Sequence, residues 1–372
     1  MSFKHASLKV SIVMLLSCAM PAHSEVTIFG LIDTAASTVT SSGPGSSQRR
    51  NQFDSGVGLG SRLGIRATED LGGGLRANVW LEQGLTAQTG ALQQGGLAFG
   101  RQSYVGLASK NWSLNMGRQY SPLNLTVAAA DAFGQGYWGN SQGTGVGQHS
   151  ARSTPADGGF QAPARVNNSV LLTVTEGGLS ARLMLSSGDA KGNAGRSIGA
   201  SLTYSEGPIY ASVAYHKERQ FAADLPEGAS PAWQDTWAVG GMYDFGRAKI
   251  YAGYYRYTPS TDNVTATPAT TLRSTSAWVG TRLQITDTGT LIGQIMQSRY
   301  SHPEGVQTGQ ALTLGLAYEH LLSKRTGLYA AWGRVNNNAT SANWLWASTV
   351  TAVPAAPGTN VTALSFGMWH RF

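Results

Sequence analysis

The sequence predicts an all-β fold, a transmembrane antiparallel β-barrel of about 16 strands in which a long third loop folds inward. The first observation is that charged residues make up only 13% of the chain, about half the share in typical soluble domains. The second is that beyond residue 24 no stretch of about 20 apolar residues could form a spanning helix. The third is period-two alternation along nearly the whole chain, which indicates strands. Since only helices and closed barrels satisfy their backbone hydrogen bonds inside a bilayer, these observations together predict a barrel.

The first 24 residues have the features of a secretory signal peptide. Lys4 and Lys9 give it a positive region, an apolar run follows, and small residues lie at the cleavage position. We expect cleavage after Ser24, so that residues 1–24 are removed and residues 25–372 form the barrel.

The single cysteine, Cys18, lies inside this signal segment. The alternative interpretation is a lipoprotein signal with Cys18 acylated, which Leu16 disfavours because it is a poor residue for that position of the motif. If the segment is removed, the exported chain has neither disulfides nor zinc–thiolate sites.

Several segments show the alternation clearly. In "ALTLGLAYEH", Leu312, Leu314 and Leu316 share one parity, and Thr313 and Glu319 share the other. "SIGASLTY", "PIYASVAYH" and "LRANVWLEQ" repeat this pattern. The apolar set often ends in an aromatic residue, which fits a lipid-facing band around a polar lumen. A soluble β-sandwich also alternates, but it would expose more Lys and Glu than this chain contains.

The connectors between these segments alternate in length. "EDLGGG", "SKNW" and "SEGP" are short and typical of periplasmic turns, whereas residues 217–235, 258–272 and 336–360 form long connectors, as in outer-membrane barrels. The longest connector runs from about Pro122 to Ala164, and loops of that length are usually functional. It carries the apolar stretch "AAADAFGQGYW", so we expect it to fold into the lumen and narrow it.

Patterns associated with catalysis or ligand chemistry are weak. "GNSQG", residues 139–143, matches a nucleophile elbow, but it lies in a glycine-rich loop without the strand-to-helix turn that the elbow requires. The histidines beyond residue 24 have no metal-ligand spacing. Basic residues are scattered singly, which does not favour nucleic acid as a partner. We therefore expect no enzyme activity, no catalytic residue, no metal and no cofactor.

Six motifs in order carry a family resemblance: "VTIFGLIDTA", "SRLGIRATEDLGGGL", "FGRQSYVGL", "MGRQY", "RVNNSV" and the terminal "GMWHRF". Together they resemble the general diffusion porins of Gram-negative bacteria, in particular the trimeric porin group of β-proteobacteria. The resemblance implies a 16-stranded homotrimer in the outer membrane, in contact with lipid and lipopolysaccharide. Its function would be passive diffusion of small hydrophilic solutes and ions.

The resemblance also implies site residues. Arg62, Arg101 and Arg165 match arginines that line one wall of the pore constriction in these porins. Parity agrees for Arg62 and Arg165, whereas Arg101 depends mainly on the motif; the alternative is that each arginine pairs with a rim carboxylate. Phe372 matches the terminal aromatic residue that the outer-membrane assembly machinery reads.

We also expect acidic residues of the long loop at the constriction and further charged residues in the lumen. Asp131 is the best candidate for a constriction acid, Asp157 is second, and His149 and Arg152 would dilute their charge. Parity places a further group of charged residues in the lumen: Arg66, Arg76, Arg182 and Arg282 among the bases, and Asp33, Glu82 and Glu319 among the acids. More basic than acidic walls in a narrow lumen concentrate anions, so we expect weak anion selectivity.

Two rival functions remain at this point. A substrate-specific channel of the same architecture would need a ladder of aromatic residues along the constriction, to which Tyr137 and Trp138 could contribute. An outer-membrane barrel enzyme would need convergent catalytic residues, which the sequence does not indicate.

Overall fold

The computed structural model describes residues 24–43, 46–141, 164–188, 195–219, 232–258, 273–301, 307–341, 343–352 and 357–372. Over these residues the chain is built almost entirely from strands, with one helix, α1 (Pro122–Ala129). The strands are β1 (Ser24–Gly43), β2 (Ser46–Ser55), β3 (Arg62–Gly72), β4 (Leu75–Gly84), β5 (Gln102–Ala108), β6 (Trp112–Tyr120), β7 (Arg165–Glu176), β8 (Leu179–Ser186), β9 (Ser197–Glu206), β10 (Ile209–Arg219), β11 (Trp233–Asp244), β12 (Ala248–Thr258), β13 (Arg273–Gln284), β14 (Gly289–Ser301), β15 (Gln307–Ser323), β16 (Thr326–Asn337), β17 (Leu345–Ala347), β18 (Val350–Ala352) and β19 (Asn360–Arg371).

The sheet closes because its first and last strands pair. β1 pairs antiparallel with β19, from Leu31 opposite Arg371 to Ser42 opposite Asn360. β2 pairs with the second half of β1 and β3 with its first half, so β2 and β3 are two segments of one spanning strand. Counted in this way the barrel has sixteen antiparallel spanning strands, which confirms the predicted fold class.

The alternation of the sequence separates a lumen face from an outer face. Leu316 is 47% exposed while its neighbour Ala317 is 2% exposed, and Leu202 is 52% exposed beside Thr203 at 5%. Large apolar side chains thus face outward, as lipid requires, and small or polar ones face inward. Within the described ranges no helix is long and apolar enough to cross a membrane.

The two rims differ in their connectors. At one rim the strands are joined by tight turns, such as the one at Gly72, Gly73 and Gly74, whose φ values of 84°, 61° and 81° favour glycine at all three positions. The long connectors leave and re-enter the strands at the other rim, and parts of these connectors fall outside the described residues. The predicted division into short turns and long loops is confirmed in those turns that the structure describes.

Of the connector between β6 and β7, residues 121–141 are described as one continuous segment, which we call L3, and this segment enters the barrel. Ser121 caps α1 by accepting a hydrogen bond from the Asn124 N–H at 3.1 Å, and Pro122 occupies the first turn. Leu123 and Val127 of the helix pack with Tyr255 in an interior cluster of the barrel. These apolar side chains are removed from water because the helix packs against the inner wall of the barrel. L3 therefore lies within the lumen, as the sequence predicted.

Candidate functional site

One wall of the barrel is covered by L3. Trp138 is fully buried, and its indole Nε1 donates a hydrogen bond to Ser365 Oγ of β19 at 2.8 Å. Phe133 and Tyr137 join it in a cluster with wall residues from β1, β14, β15, β16 and β19. A Cβ atom added to Gly333 would lie 2.5 Å from Trp138 Cβ, so the wall needs glycine there for L3 to lie close.

The opposite wall carries the three predicted arginines. Arg62 begins β3, Arg101 precedes β5 and Arg165 begins β7. Two of them meet at the phenol of Tyr120: Arg101 Nη2 donates to its oxygen at 3.1 Å and Arg165 Nη2 at 2.7 Å. The Arg165 guanidinium also lies 4.5 Å from the centre of the Tyr120 ring. The fold thus brings two arginines that are far apart in the chain together at one tyrosine.

Glu82 of β4 is the carboxylate nearest to these arginines. Arg101 Nε donates a hydrogen bond to Glu82 Oε1, and Arg62 Nη1 lies 3.9 Å from the same oxygen. The other carboxylate oxygen accepts a hydrogen bond from Trp80 Nε1 at 3.1 Å. Arg101 and, at a longer distance, Arg62 therefore have the carboxylate partner that the alternative interpretation required. Arg165 donates its hydrogen bond to Tyr120 instead. Among the described residues near this site a single carboxylate, that of Glu82, thus faces three guanidinium groups.

These arginines line a cavity of about 690 Å³. Other parts of its lining are Asn124 of α1, Gln135 of L3 and the backbone of residues 93–96. The cavity therefore lies between the basic wall and L3.

The break between β2 and β3, residues 56–61, lines the same cavity through Gly58, Leu59 and Gly60. Val57 is fully buried, and its carbonyl accepts a hydrogen bond from the Tyr137 N–H at 2.6 Å. Asp33 holds this segment in place, because its carboxylate accepts the Leu59 N–H at 2.8 Å and the Tyr329 hydroxyl at 2.6 Å. Asp33 faces inward as its parity predicted, but its carboxylate is buried beneath the segment.

The hairpin β17–β18, within the connector 338–359, contacts L3 and lines the same cavity. The Trp346 carbonyl accepts a hydrogen bond from Asn140 Nδ2 of L3 at 3.1 Å. Thr349 Oγ1 donates to the Ser55 carbonyl at 2.6 Å, and Ser348 lines the cavity. The alternation of the strands does not predict this contribution; Trp346 within a polar connector is the signal in the sequence that points to it.

Asp131 occupies a different environment from the one expected of a pore acid. It is 2% exposed, and its carboxylate accepts hydrogen bonds from the N–H groups of Phe133 at 2.9 Å and Ser141 at 2.9 Å and from Ser141 Oγ at 2.8 Å. Burial raises the pKa of this carboxyl, while these hydrogen bonds act in the opposite direction. Asp131 thus holds the fold of L3 instead of facing the lumen. Asp157, His149 and Arg152 lie outside the described residues.

The remaining predicted lumen residues differ in their surroundings: some contact L3, one contacts a neighbouring strand and some are exposed. Arg282 and Glu319 hold L3: Arg282 Nη1 donates to the Ala132 carbonyl at 3.0 Å, and Glu319 Oε1 accepts the Tyr137 hydroxyl at 3.1 Å. Arg182 donates to Thr203 Oγ1 at 3.2 Å. Two further arginines, on the inward parity of β3 and β4 toward the short-turn rim, are exposed: Arg66 and Arg76.

Tyr137 and Trp138 are buried against the barrel wall, and thus do not form an aromatic ladder for solutes. Ser141, in the sequence that matched a nucleophile elbow, is also buried, and its hydroxyl is bound to Asp131. Among the described residues there is no cluster of His, Cys, Asp and Glu suited to a metal ion.

Phe372 lies on the outer face, as its parity predicted. Its backbone exchanges hydrogen bonds with Gly30 of β1, at 3.0 and 3.1 Å, and its side chain is 53% exposed. A Cβ atom on Gly30 would lie 2.2 Å from the Phe372 ring, so the ring rests directly on this glycine.

Comparison with known proteins agrees with this architecture. The family model of Gram-negative porins matches residues 10–340. Outer membrane porin protein 32 of Delftia acidovorans is 28% identical over 97% of both chains, and an outer membrane porin protein of Bordetella pertussis is 28% identical over 84% of this chain and 89% of that protein. The anion-selective porin from Comamonas acidovorans has a similar structure, with a TM-score of 0.77, 26% identity, and coverage of 94% of this chain and 100% of that one. The chain therefore belongs to the Gram-negative porin family and is an outer-membrane channel for passive diffusion.

Proposed function

We propose that this channel is weakly anion-selective and passes small hydrophilic anions, with Arg62, Arg101 and Arg165 as its constriction residues. The observation that carries the proposal is the excess of guanidinium groups over carboxylates where the cavity is confined by L3: three arginines face Glu82. The similar Comamonas acidovorans porin is described as anion-selective, which supports the same preference.

The physical reason is field focusing in a narrow lumen. Like charges on a low-dielectric wall raise the local concentration of counter-ions. A unit charge pair at 4 Å is worth only about 1 kcal/mol in bulk water, so a single exposed arginine contributes little. Several arginines around one constriction add up, and about 1.4 kcal/mol changes anion occupancy tenfold.

Zero-current potentials across a KCl gradient, measured on purified channels in planar bilayers, test the proposal. We expect the wild type to prefer chloride, Arg62→Gln and Arg165→Gln each to reduce that preference, and the double variant to reduce it further. Arg182→Gln, an inward arginine outside the cavity lining, is the matched control and should change the potential less.

Arg101 needs a different design, because its removal leaves Glu82 buried without its partner and threatens folding. The double variant Arg101→Gln/Glu82→Gln removes both charges and should leave the potential near that of the wild type. A wild type that prefers cations, or a double variant of Arg62 and Arg165 that keeps full selectivity, would contradict the proposal. Effects should shrink in high salt, since screening shortens to about 3 Å at 1 M.

We further propose that the channel is a homotrimer without catalytic activity, contacts lipid and lipopolysaccharide, and is recognised by the assembly machinery through Phe372. The exposed apolar band on the outer face supports contacts with lipid and with neighbouring copies. A solved porin-fold structure, OmpT of Vibrio cholerae, is described in a trimer form. Native electrophoresis with and without heating should give a heat-sensitive trimer band, whereas a monomer under mild detergent would refute the trimer.

A further inference from the structure

Four lumen side chains below the constriction form a patch that the passive-channel function does not require. Arg66, Trp80 and Tyr104 are successive register partners across β3, β4 and β5. The Trp80 and Tyr104 rings stack with centroids 6.4 Å apart, and Phe29 of β1 meets Trp80 edge-to-face at 5.6 Å. We name Phe29, Arg66, Trp80 and Tyr104 the aromatic shelf.

The shelf faces the lumen, and within the described part of the chain no residue of L3 shares a buried cluster with its rings. Its neighbours in sequence, Ile28 at 67% and Val105 at 51% exposure, point outward, so the shelf residues point inward. None of the three rings belongs to the buried clusters that hold L3, and each is partly exposed. A diffusion pore ordinarily presents polar side chains to its water, so three partly exposed rings on one patch need another explanation.

Arg66 is the charged member of the shelf. Its guanidinium carbon lies 4.7 Å from the Phe29 ring centre and 4.9 Å from that of Trp80. Among the described residues the structure gives it no hydrogen bond and no ion pair, whereas Arg62, Arg101 and Arg165 each have a polar partner. The nearby carboxylate Glu82 is engaged by Arg101 and Trp80. The guanidinium of Arg66 thus packs on the Phe29 and Trp80 rings, while its N–H groups are open to a ligand.

The register places the shelf next to the constriction. Gly64 on β3 pairs with Glu82, and Arg62 and Arg66 lie two residues to either side of it. Two residues along a strand span roughly 7 Å, so a solute moving from the arginine cluster toward the short-turn rim meets the shelf within one or two molecular lengths.

We propose that the aromatic shelf is a binding subsite for carboxylates that carry a planar aromatic ring. This inference rests on the proposed anion preference and names a solute class within it. The carboxylate would accept hydrogen bonds from the Arg66 guanidinium edge, which matches carboxylate geometry in a bidentate manner. The ring of the solute would pack on Trp80 and Tyr104 in an offset or edge-to-face arrangement. Binding must be weak enough for release, as in any conducting pore, so we expect a dissociation constant of about 1 mM.

The test uses purified wild-type channel in planar bilayers at constant sodium concentration, with benzoate replacing chloride stepwise on both sides. We expect channel conductance to fall along a saturating curve with its midpoint at about 1 mM. Cyclohexanecarboxylate has the same charge and similar size without an aromatic ring, and acetate has neither the ring nor the bulk. Both should require at least about fivefold higher concentrations, because they cannot stack on the shelf.

Variants separate the parts of the shelf. Arg66→Gln should abolish the saturating benzoate effect, and Tyr104→Leu should weaken it about tenfold while leaving the Trp80–Glu82 hydrogen bond intact. Arg76→Gln is the matched control, because it removes another exposed arginine, on the neighbouring strand and outside the shelf. Trimer content before and after heating verifies that each variant is folded.

Two results would overturn the inference: equal midpoints for benzoate and cyclohexanecarboxylate on the wild type, or the same benzoate response in Arg66→Gln and Arg76→Gln. Failure of the proposed anion preference would be seen separately, as a cation-selective zero-current potential in KCl alone. A channel that prefers chloride yet treats the two carboxylates alike would keep the proposed function and refute the shelf.

Discussion

Replacing Trp138 by alanine should release L3 from the barrel wall and enlarge the pore. The indole is fully buried between L3 and the wall, and its Nε1 is bound to Ser365. Because Trp138 belongs to a loop and not to a spanning strand, the barrel itself should still assemble. The perturbation therefore acts on the position of L3 inside an intact channel.

The magnitude follows from the burial. An aromatic side chain buries about 150–250 Å², and at about 25 cal/mol per Å² this corresponds to about 4–6 kcal/mol. Measured Trp→Ala losses of about 3–5 kcal/mol lie in the same range. A loss of about 4 kcal/mol lowers the ratio of docked to undocked L3 roughly a thousandfold. Ser365→Ala removes the hydrogen bond to Trp138 together with the one between Ser365 Oγ and Ser37 Oγ at 2.7 Å, and the loss of the Trp138 bond should cost about 1 kcal/mol.

Single-channel recording measures the outcome. Trp138→Ala should show a higher mean conductance and larger open-channel current noise than the wild type, and Ser365→Ala a smaller change in the same direction. Heat-sensitive trimer bands of normal intensity would verify assembly of both variants. If folded Trp138→Ala channels have wild-type conductance and noise, then Trp138 does not hold L3 in place and the reasoning is wrong.

Three further changes test other contacts. Gly333→Ala should push L3 toward the lumen and lower conductance, because its Cβ would lie 2.5 Å from Trp138 Cβ; Gly293→Ala, whose Cβ meets atoms only at 3.9 Å, is the control, and equal conductance of the two would refute the contact. Asp131→Ala leaves buried N–H donors of L3 without an acceptor, each costing about 1–3 kcal/mol, so limited proteolysis should cut L3 faster than in the wild type; an unchanged cleavage rate would argue against this role. Phe372→Ser should reduce the amount of folded trimer in the outer membrane while the remaining channels conduct normally, as immunoblotting and bilayer recording would reveal; full assembly under high expression would count against it.

Alternation along the chain was enough to predict the barrel and the direction of most side chains. Period-two alternation specifies which residues face lipid, and this is why Arg62, Arg66, Asp33 and Glu319 could be assigned to the lumen without a structure. The parity of Phe372 was assigned in the same way. Alternation is local, so it depends little on how the barrel closes.

Tertiary structure decided which inward residues meet. The Glu82–Arg101 pair and the bonds from Arg101 and Arg165 to Tyr120 join residues 19 and 45 positions apart, and they form because strand register brings the ends of β4, β6 and β7 together. No local pattern encodes those distances.

The fate of Asp131 and of the strand break at 56–61 was also decided by packing. The sequence around an aspartate in a loop does not show whether its carboxylate faces water or accepts hydrogen bonds from the loop backbone. In Asp131 the carboxylate accepts hydrogen bonds from N–H groups of its own loop. The segment 56–61 carries the same alternation of small residues as a strand, yet Asp33 and Tyr137 draw its backbone into the lumen. Face is a property of one strand and could be predicted from the sequence, whereas the shape of the pore depends on contacts between segments far apart in the chain.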